Sequence, residues 1–154
     1  MEKIYWVTPA LAGRCGPVAR PWDLDELYRQ GFRVIVSLDD TVNEGEITEK
    51  GFKHIQLYLP DVALTSQERK ELFVLKATEF VELITQENDP VLVHCWAGND
   101  RTGGMIACYL ISQGAEPDEA IATVRKLNPW AMSTPGYEEA VYLYAEKSVN
   151  QKRK

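Results

Sequence analysis

Apolar positions along the chain fall into short continuous or alternating runs and longer stretches with helical spacing. Residues 4–7 form a short apolar run, residues 22–30 an amphipathic turn and helix stopped by Gly31, and residues 33–38 a β-branched run of the kind buried within a sheet. Together these predict a first βαβ half. A helical turn over 44–50 stops at Gly51, and residues 52–57 then alternate as a strand does, with Phe52, His54 and Gln56 on one side and Lys53, Ile55 and Leu57 on the other. Beyond the loop 58–65, Thr65 followed by Glu68 reads as a capping box. Phe73, Ala77, Phe80 and Ile84 recur on one helical face, so a long helix is predicted over 66–86. Asn88-Asp89-Pro90 breaks the chain before the apolar run 91–95, which leads directly into the polar, glycine-containing segment 96–101. Three helices are predicted after it: one over 102–113, one opened by Pro117 with Ala120, Ile121, Val124 and Leu127 on a face, and one capped near Thr134-Pro135 with Ala140, Val141, Leu143 and Tyr144. This order predicts a single α/β domain, a mostly parallel central sheet of four to five strands flanked by helices.

Composition narrows the picture. A chain of 154 residues with 45% hydrophobic and 26% charged side chains suits one domain with a real core, here residues 1–150, followed by a basic tail over 151–154 that reads as a solvated terminus. No apolar run approaches the roughly 18–20 residues of a membrane helix, and residues 1–9 carry no secretion pattern, so a cytoplasmic protein without membrane insertion is expected. A formal charge of -6, from 17 basic and 23 acidic side chains, argues against general affinity for nucleic acid or anionic membrane. An anionic ligand would have to be held locally. The three cysteines, Cys15, Cys95 and Cys108, form no CxxC pair, which suggests neither a zinc site nor a disulfide framework and points to a free thiol.

The candidate chemistry is concentrated in His94-Cys95-Trp96-Ala97-Gly98-Asn99-Asp100-Arg101-Thr102-Gly103, a strand end, a loop and a helix start. Five residues between Cys95 and Arg101 are enough for the backbone to curl so that successive N–H groups face one hollow, an anion nest at a helix N-terminus. Residues Cys95, Trp96, Ala97, Gly98, Asn99, Asp100 and Arg101 would line it around a phosphate. Gly98 allows a positive φ or a close approach to the ligand, and Arg101 offers the two parallel donors that lysine lacks. The inward amides favour negative charge on the Cys95 sulfur, so the expected nucleophile is a thiolate. Thr102 could donate its hydroxyl to that sulfur as it leaves, and His94 reads as a brace for the loop rather than a base.

The stretch His94-Cys95-x5-Arg101-Thr102-Gly103 resembles the signature loop of the cysteine-dependent protein tyrosine and dual-specificity phosphatase superfamily, and the chain's small size is similar to its compact, archaeal-type members. By average residue usage, five such fixed positions coincide by chance at well under roughly one start site in a million. The resemblance implies a phosphotyrosine phosphatase-like fold and a two-step transfer needing no cofactor and no metal, in which Cys95 forms a cysteinyl-phosphate that water then hydrolyses. It also implies a general acid on a loop some 30 residues upstream. Asp61, in Leu59-Pro60-Asp61-Val62, is placed there. Asp100 competes for that role, and otherwise orients the loop or pairs with Arg101.

Other positions depart from the family pattern. Tyr137 falls where a water-positioning glutamine is common and Asn128 where an arginine is frequent, so either Ser133, Thr134 or Asp100 substitutes in placing the water or hydrolysis of the intermediate is slow. Trp96 could stack on an aryl phosphate, whereas Trp130 reads as packing that shields the loop. Asp39 and Asp40 read as loop supports before acid candidates. Cys15, on a loop, and Cys108, inside a helix, read as structural, and either could form a disulfide with an oxidised Cys95. The leading function is hydrolysis of phosphotyrosine, with phosphoserine and phosphothreonine as further substrates, in phosphorylated proteins or small phosphate esters. The alternatives are a phosphatase for a phosphoinositide, an inositol phosphate or an RNA 5'-phosphate, and a phosphate-binding module without turnover.

Overall fold

The computed structural model describes residues 4–152, so Arg153 and Lys154 of the basic tail lie outside the described residues. Five strands, β1 (Tyr5–Thr8), β2 (Leu11–Cys15), β3 (Val34–Ser37), β4 (Lys53–Gln56) and β5 (Val91–Cys95), form one sheet in the order β1-β2-β5-β3-β4. All neighbours are parallel except β1, which runs antiparallel to β2. The helices are α1 (Leu24–Arg29), α2 (Glu44–Glu49), α3 (Gln67–Thr85), α4 (Asp100–Ser112), α5 (Pro117–Leu127) and α6 (Tyr137–Lys152). None of the described helices is long and apolar enough to cross a membrane.

Strand alternation sorts side chains between the two faces of the sheet. Val91, Val93 and Cys95 of β5 join the core under α3, α4, α5 and α6, while Leu92 joins Leu24, Leu27, Phe32 and Ile47 on the face covered by α1 and α2. Phe73, Ala77 and Phe80 of α3 are fully buried, as their spacing predicts, and each phenylalanine contributes about 1.5–3 kcal/mol through burial. β5 is the middle strand, so its C-terminal end opens where parallel strands of an α/β sheet gather ligands.

Several expectations are corrected. β2 was read as loop, and Cys15 is its last residue. The initial βαβ half therefore starts from β2 rather than β1, with β5 inserted between β2 and β3. The side chain that caps α3 is Ser66, accepting from Arg69 N at 3.1 Å, rather than Thr65. α4 starts at Asp100, two residues before the predicted start, which places Asp100 and Arg101 in its first turn. Leu127, expected on the buried face of α5, is 45% exposed because the chain turns to extended geometry at Asn128.

Candidate active site

β5 ends at Cys95, and after four intervening residues the chain enters α4. Gly98 supplies the bend with φ +76° and sits directly on the backbone of Arg14 and Cys15 in β2. Its carbonyl accepts from Tyr5 Oη at 2.7 Å and from Asn128 Nδ2 at 3.2 Å, while its amide donates to Cys95 Sγ at 3.2 Å. One residue thus ties three elements to the sulfur. Burial pushes the Tyr5 hydroxyl far above its ordinary range, so it stays a neutral donor. Asn99, the N-cap of α4, makes no side-chain capping bond, and its Oδ1 instead accepts from Asn128 Nδ2 at 3.0 Å. The first-turn amides of α4 are therefore left for an anion.

The expected residues converge. Cys95 is 2% and Arg101 3% exposed, whereas Trp96 and Ala97 lie on the exposed rim. Arg101 Nη1 donates to Leu59 O at 3.0 Å, and its Nη2 lies 3.6 Å from Asp61 Oδ2. The Asp61 side chain is 73% exposed. The backbone is anchored on either side of that aspartate: Leu59 N donates to Leu38 O at 2.9 Å, and Tyr137 Oη donates to Val62 O at 3.0 Å. Leu64 N also donates to Pro135 O at 2.9 Å, close to Gly136.

Asp100 orients a neighbouring loop. Its Oδ1 accepts from Thr134 N at 3.1 Å, and its Oδ2 accepts from the Thr134 hydroxyl. Arg101 pairs with Asp61. Thr102 Oγ1 is buried without a hydrogen-bond partner, and the sulfur accepts instead from the Gly98 amide. His94 is buried, with Nδ1 3.3 Å from Cys95 O and Nε2 2.6 Å from Ser37 Oγ, a brace as expected. Burial lowers its pKa from 6.5 to about 4, against the opposing pull of Asp39. Asp39 caps Thr41 through Oδ1, and Asp40 is exposed.

Trp130 corrects its reading. It is 70% exposed and shields nothing. Its loop is held by Asn128 Oδ1, which accepts from Trp130 N at 3.2 Å. Tyr137, at the position where the family often has a glutamine, commits its side chain to the Asp61 loop through Val62 O. Cys15 occupies the position in β2 directly paired with Cys95, and Cys108 is fully buried. Sequence reasoning overlooked Tyr5 and Ser37. Tyr5 lies in the first apolar run, and no short-range pattern points from there to a carbonyl 93 residues away.

A buried cysteine under a backbone amide, a buried arginine in the first turn of α4 and an exposed carboxylate paired with it from a separate loop sit in a domain of the compact dual-specificity phosphatase type. The chain belongs to the family described as "Polymorphic toxin system, DSP-PTPase phosphatase", whose match covers residues 13–115. It is similar to the tyrosine-protein phosphatase cdc-14 of Caenorhabditis elegans, 28% identical over an alignment of 145 residues that covers 84% of this chain and 20% of that protein. The chain spans between a fifth and about a quarter of the length of the first curated relatives it matches. Among solved structures, Tk-PTP in its active form is 25% identical with a TM-score of 0.73, over 94% of this chain and 97% of that one. Human DUSP28, 18% identical with a TM-score of 0.75 over 96% and 99% of the two chains, shares the fold.

Proposed function

We propose that the protein hydrolyses phosphotyrosine monoesters, with phosphoserine and phosphothreonine as further substrates, through a cysteinyl-phosphate and without a metal ion. The observation that carries this reading is the placement of Cys95 Sγ under the Gly98 amide at 3.2 Å, at one end of a loop whose other end is the buried Arg101. Phosphate oxygens would bind the first-turn amides of α4 and the Arg101 fork, displacing Asp61 from that guanidinium, and the freed carboxylate takes up a proton from solvent. Cys95 Sγ attacks phosphorus as the ester P–O bond breaks, and Asp61 gives its proton to the departing oxygen. Asp61, now a carboxylate, takes a proton from water as that water attacks phosphorus. The S–P bond then breaks, and Thr102 Oγ1, left with an unused hydrogen, donates to the departing sulfur. Asp100 acts through Thr134, and positioning of the water falls to that loop.

The exposed Trp96 and Trp130 near the loop support an aryl ester. The segment Trp96-Ala97-Gly98-Asn99-Asp100 contributes no cation, which disfavours a multiply phosphorylated inositol ring. Turnover of an aryl phosphate, phosphopeptides and a phosphoinositide, each with and without a chelator, tests the substrate class. Asp61→Ala should lower the rate on a poor leaving group at least about a hundredfold, within the range of acid catalysis, and much less on p-nitrophenyl phosphate. An equal loss on both would move the acid role to Asp100, and inhibition by the chelator would refute the metal-free mechanism.

A further inference from the structure

Behind the signature loop, two residues with no part in the proposed chemistry extend the His94 contact into a chain. Ser37, the last residue of β3, is fully buried, and its Oγ lies 2.6 Å from His94 Nε2 and 2.8 Å from His54 Nε2. His54, on the adjacent strand β4, has a side chain only 1% exposed, and its Nδ1 lies 3.3 Å from Glu44 Oε1 at the start of α2. That last approach has no hydrogen-bond alignment, and Nδ1 is without a hydrogen-bond partner. The parallel registers Ser37↔His94 and Ser37↔Gln56 place the end of β3 between β5 and β4, so the side chains meet across three neighbouring strands.

The hydrogens along this chain can run in only one direction. The Cys95 carbonyl can only accept, so the hydrogen in its contact belongs to His94 Nδ1. A buried His94 that stays neutral carries one ring hydrogen, which leaves Nε2 an acceptor. Ser37 must then donate its hydroxyl hydrogen to His94. With that hydrogen spent, Ser37 Oγ accepts from His54, which must carry its hydrogen on Nε2.

We propose that Ser37 and His54 are positioning residues: a one-way hydrogen-bond relay, His54 to Ser37 to His94 to the Cys95 carbonyl, fixes the His94 tautomer and with it the point where β5 turns into the phosphate loop. The relay spans β4, β3 and β5, so it locks the nucleophile's backbone to the sheet rather than to the loop alone. With the opposite tautomer, His94 would turn a nitrogen lone pair toward the Cys95 carbonyl, and two acceptors would face each other in a dry site. The positioning role rests on the reading of Cys95 as nucleophile. The direction of the relay does not.

The chain has two histidines, so long-range 1H–15N correlations of labelled protein at neutral pH resolve both rings. His94 should appear protonated on Nδ1 and His54 on Nε2. The opposite tautomer at His94 overturns the relay. Ser37→Ala should give mixed His94 tautomers and lower kcat on an aryl phosphate about five- to tenfold, the worth of one buried hydrogen bond, with KM changed less than about twofold. His54→Gln, which can still offer an amide hydrogen to Ser37, should retain kcat within about twofold, while His54→Leu should match Ser37→Ala. Unchanged kcat in folded Ser37→Ala overturns the positioning role, and if that variant does not fold, the wild-type spectrum and His54→Leu decide. Wild-type protein without turnover but with the expected tautomers refutes the phosphatase reading alone. A reversed tautomer in active protein refutes the relay alone.

Discussion

Replacing Gly98 by alanine tests how tightly the loop is wedged against the sheet. A Cβ built on Gly98 lies 2.6 Å from Cys15 N, 2.7 Å from the Arg14 carbonyl carbon and 2.8 Å from Arg14 O. All three are backbone atoms of a strand paired along its length with β5, so none can rotate aside. The left-handed φ of +76° adds a second penalty. Overpacking of this kind costs about 1–3 kcal/mol and a non-glycine residue in that conformation about 1–2 kcal/mol, so about 2–5 kcal/mol in total. If the loop holds its place, the whole amount appears as lost stability in urea unfolding with linear extrapolation. If the loop yields, Gly98 moves away from Cys95 Sγ, Tyr5 Oη and Asn128 Nδ2, and the loss appears in kcat at about tenfold for each 1.4 kcal/mol. Gly114→Ala is the control, because Gly114 has φ +110° with nothing within 4 Å of a built Cβ, and it should show the conformational penalty alone. The reasoning is refuted if Gly98→Ala matches Gly114→Ala in both stability and kcat.

Two further outcomes follow from burial and exposure. Burial pushes the His94 pKa down from 6.5 to about 4, so the unfolded chain binds more protons between those values and stability is lost as pH falls through that window. From pH 6.5 to 5, above most carboxylates, unfolding free energy should fall by about 2 kcal/mol in urea titrations, and a flat profile there would contradict a buried neutral His94. Trp130→Ala should change stability by less than about 0.5 kcal/mol, because the side chain is 70% exposed, yet raise KM for an aryl phosphate about two- to tenfold with no change for an alkyl phosphate. A stability loss above about 1 kcal/mol would restore the packing role for Trp130.

The most readable parts of the sequence were those where local pattern and tertiary role agree. The period of Phe73, Ala77 and Phe80 marks α3, the run ending at Cys95 marks the central strand, and the Cys95-to-Arg101 spacing is itself the geometry of an anion hollow. β2 escaped because Leu-Ala-Gly-Arg-Cys looks neither β-branched nor alternating. Its glycine is forced by the Tyr5 ring, since a Cβ on Gly13 would lie 2.5 Å from Tyr5 Cζ. Arg14 is fully buried in that strand because the carbonyls of Cys15, Arg20 and Pro21 accept its hydrogens. Such compensation is invisible along the chain. The alternation of β4 placed His54 on a polar-looking side, but only the strand order brings it beside Ser37 and His94. Asp61 was reached through the family resemblance, and its contact with Arg101, across 40 residues of sequence, depends on the packing of its loop.

The central claim concerns one bond, between Cys95 sulfur and phosphorus. Acid-quenched protein taken during turnover of an aryl phosphate, digested and read by mass spectrometry, should carry a phosphoryl group on the peptide containing Cys95. The adduct should increase in Asp61→Ala, where its hydrolysis loses the proposed base, and disappear in Cys95→Ser together with turnover. Steady turnover with no phosphorus on that peptide, or activity retained in Cys95→Ser, would contradict the account.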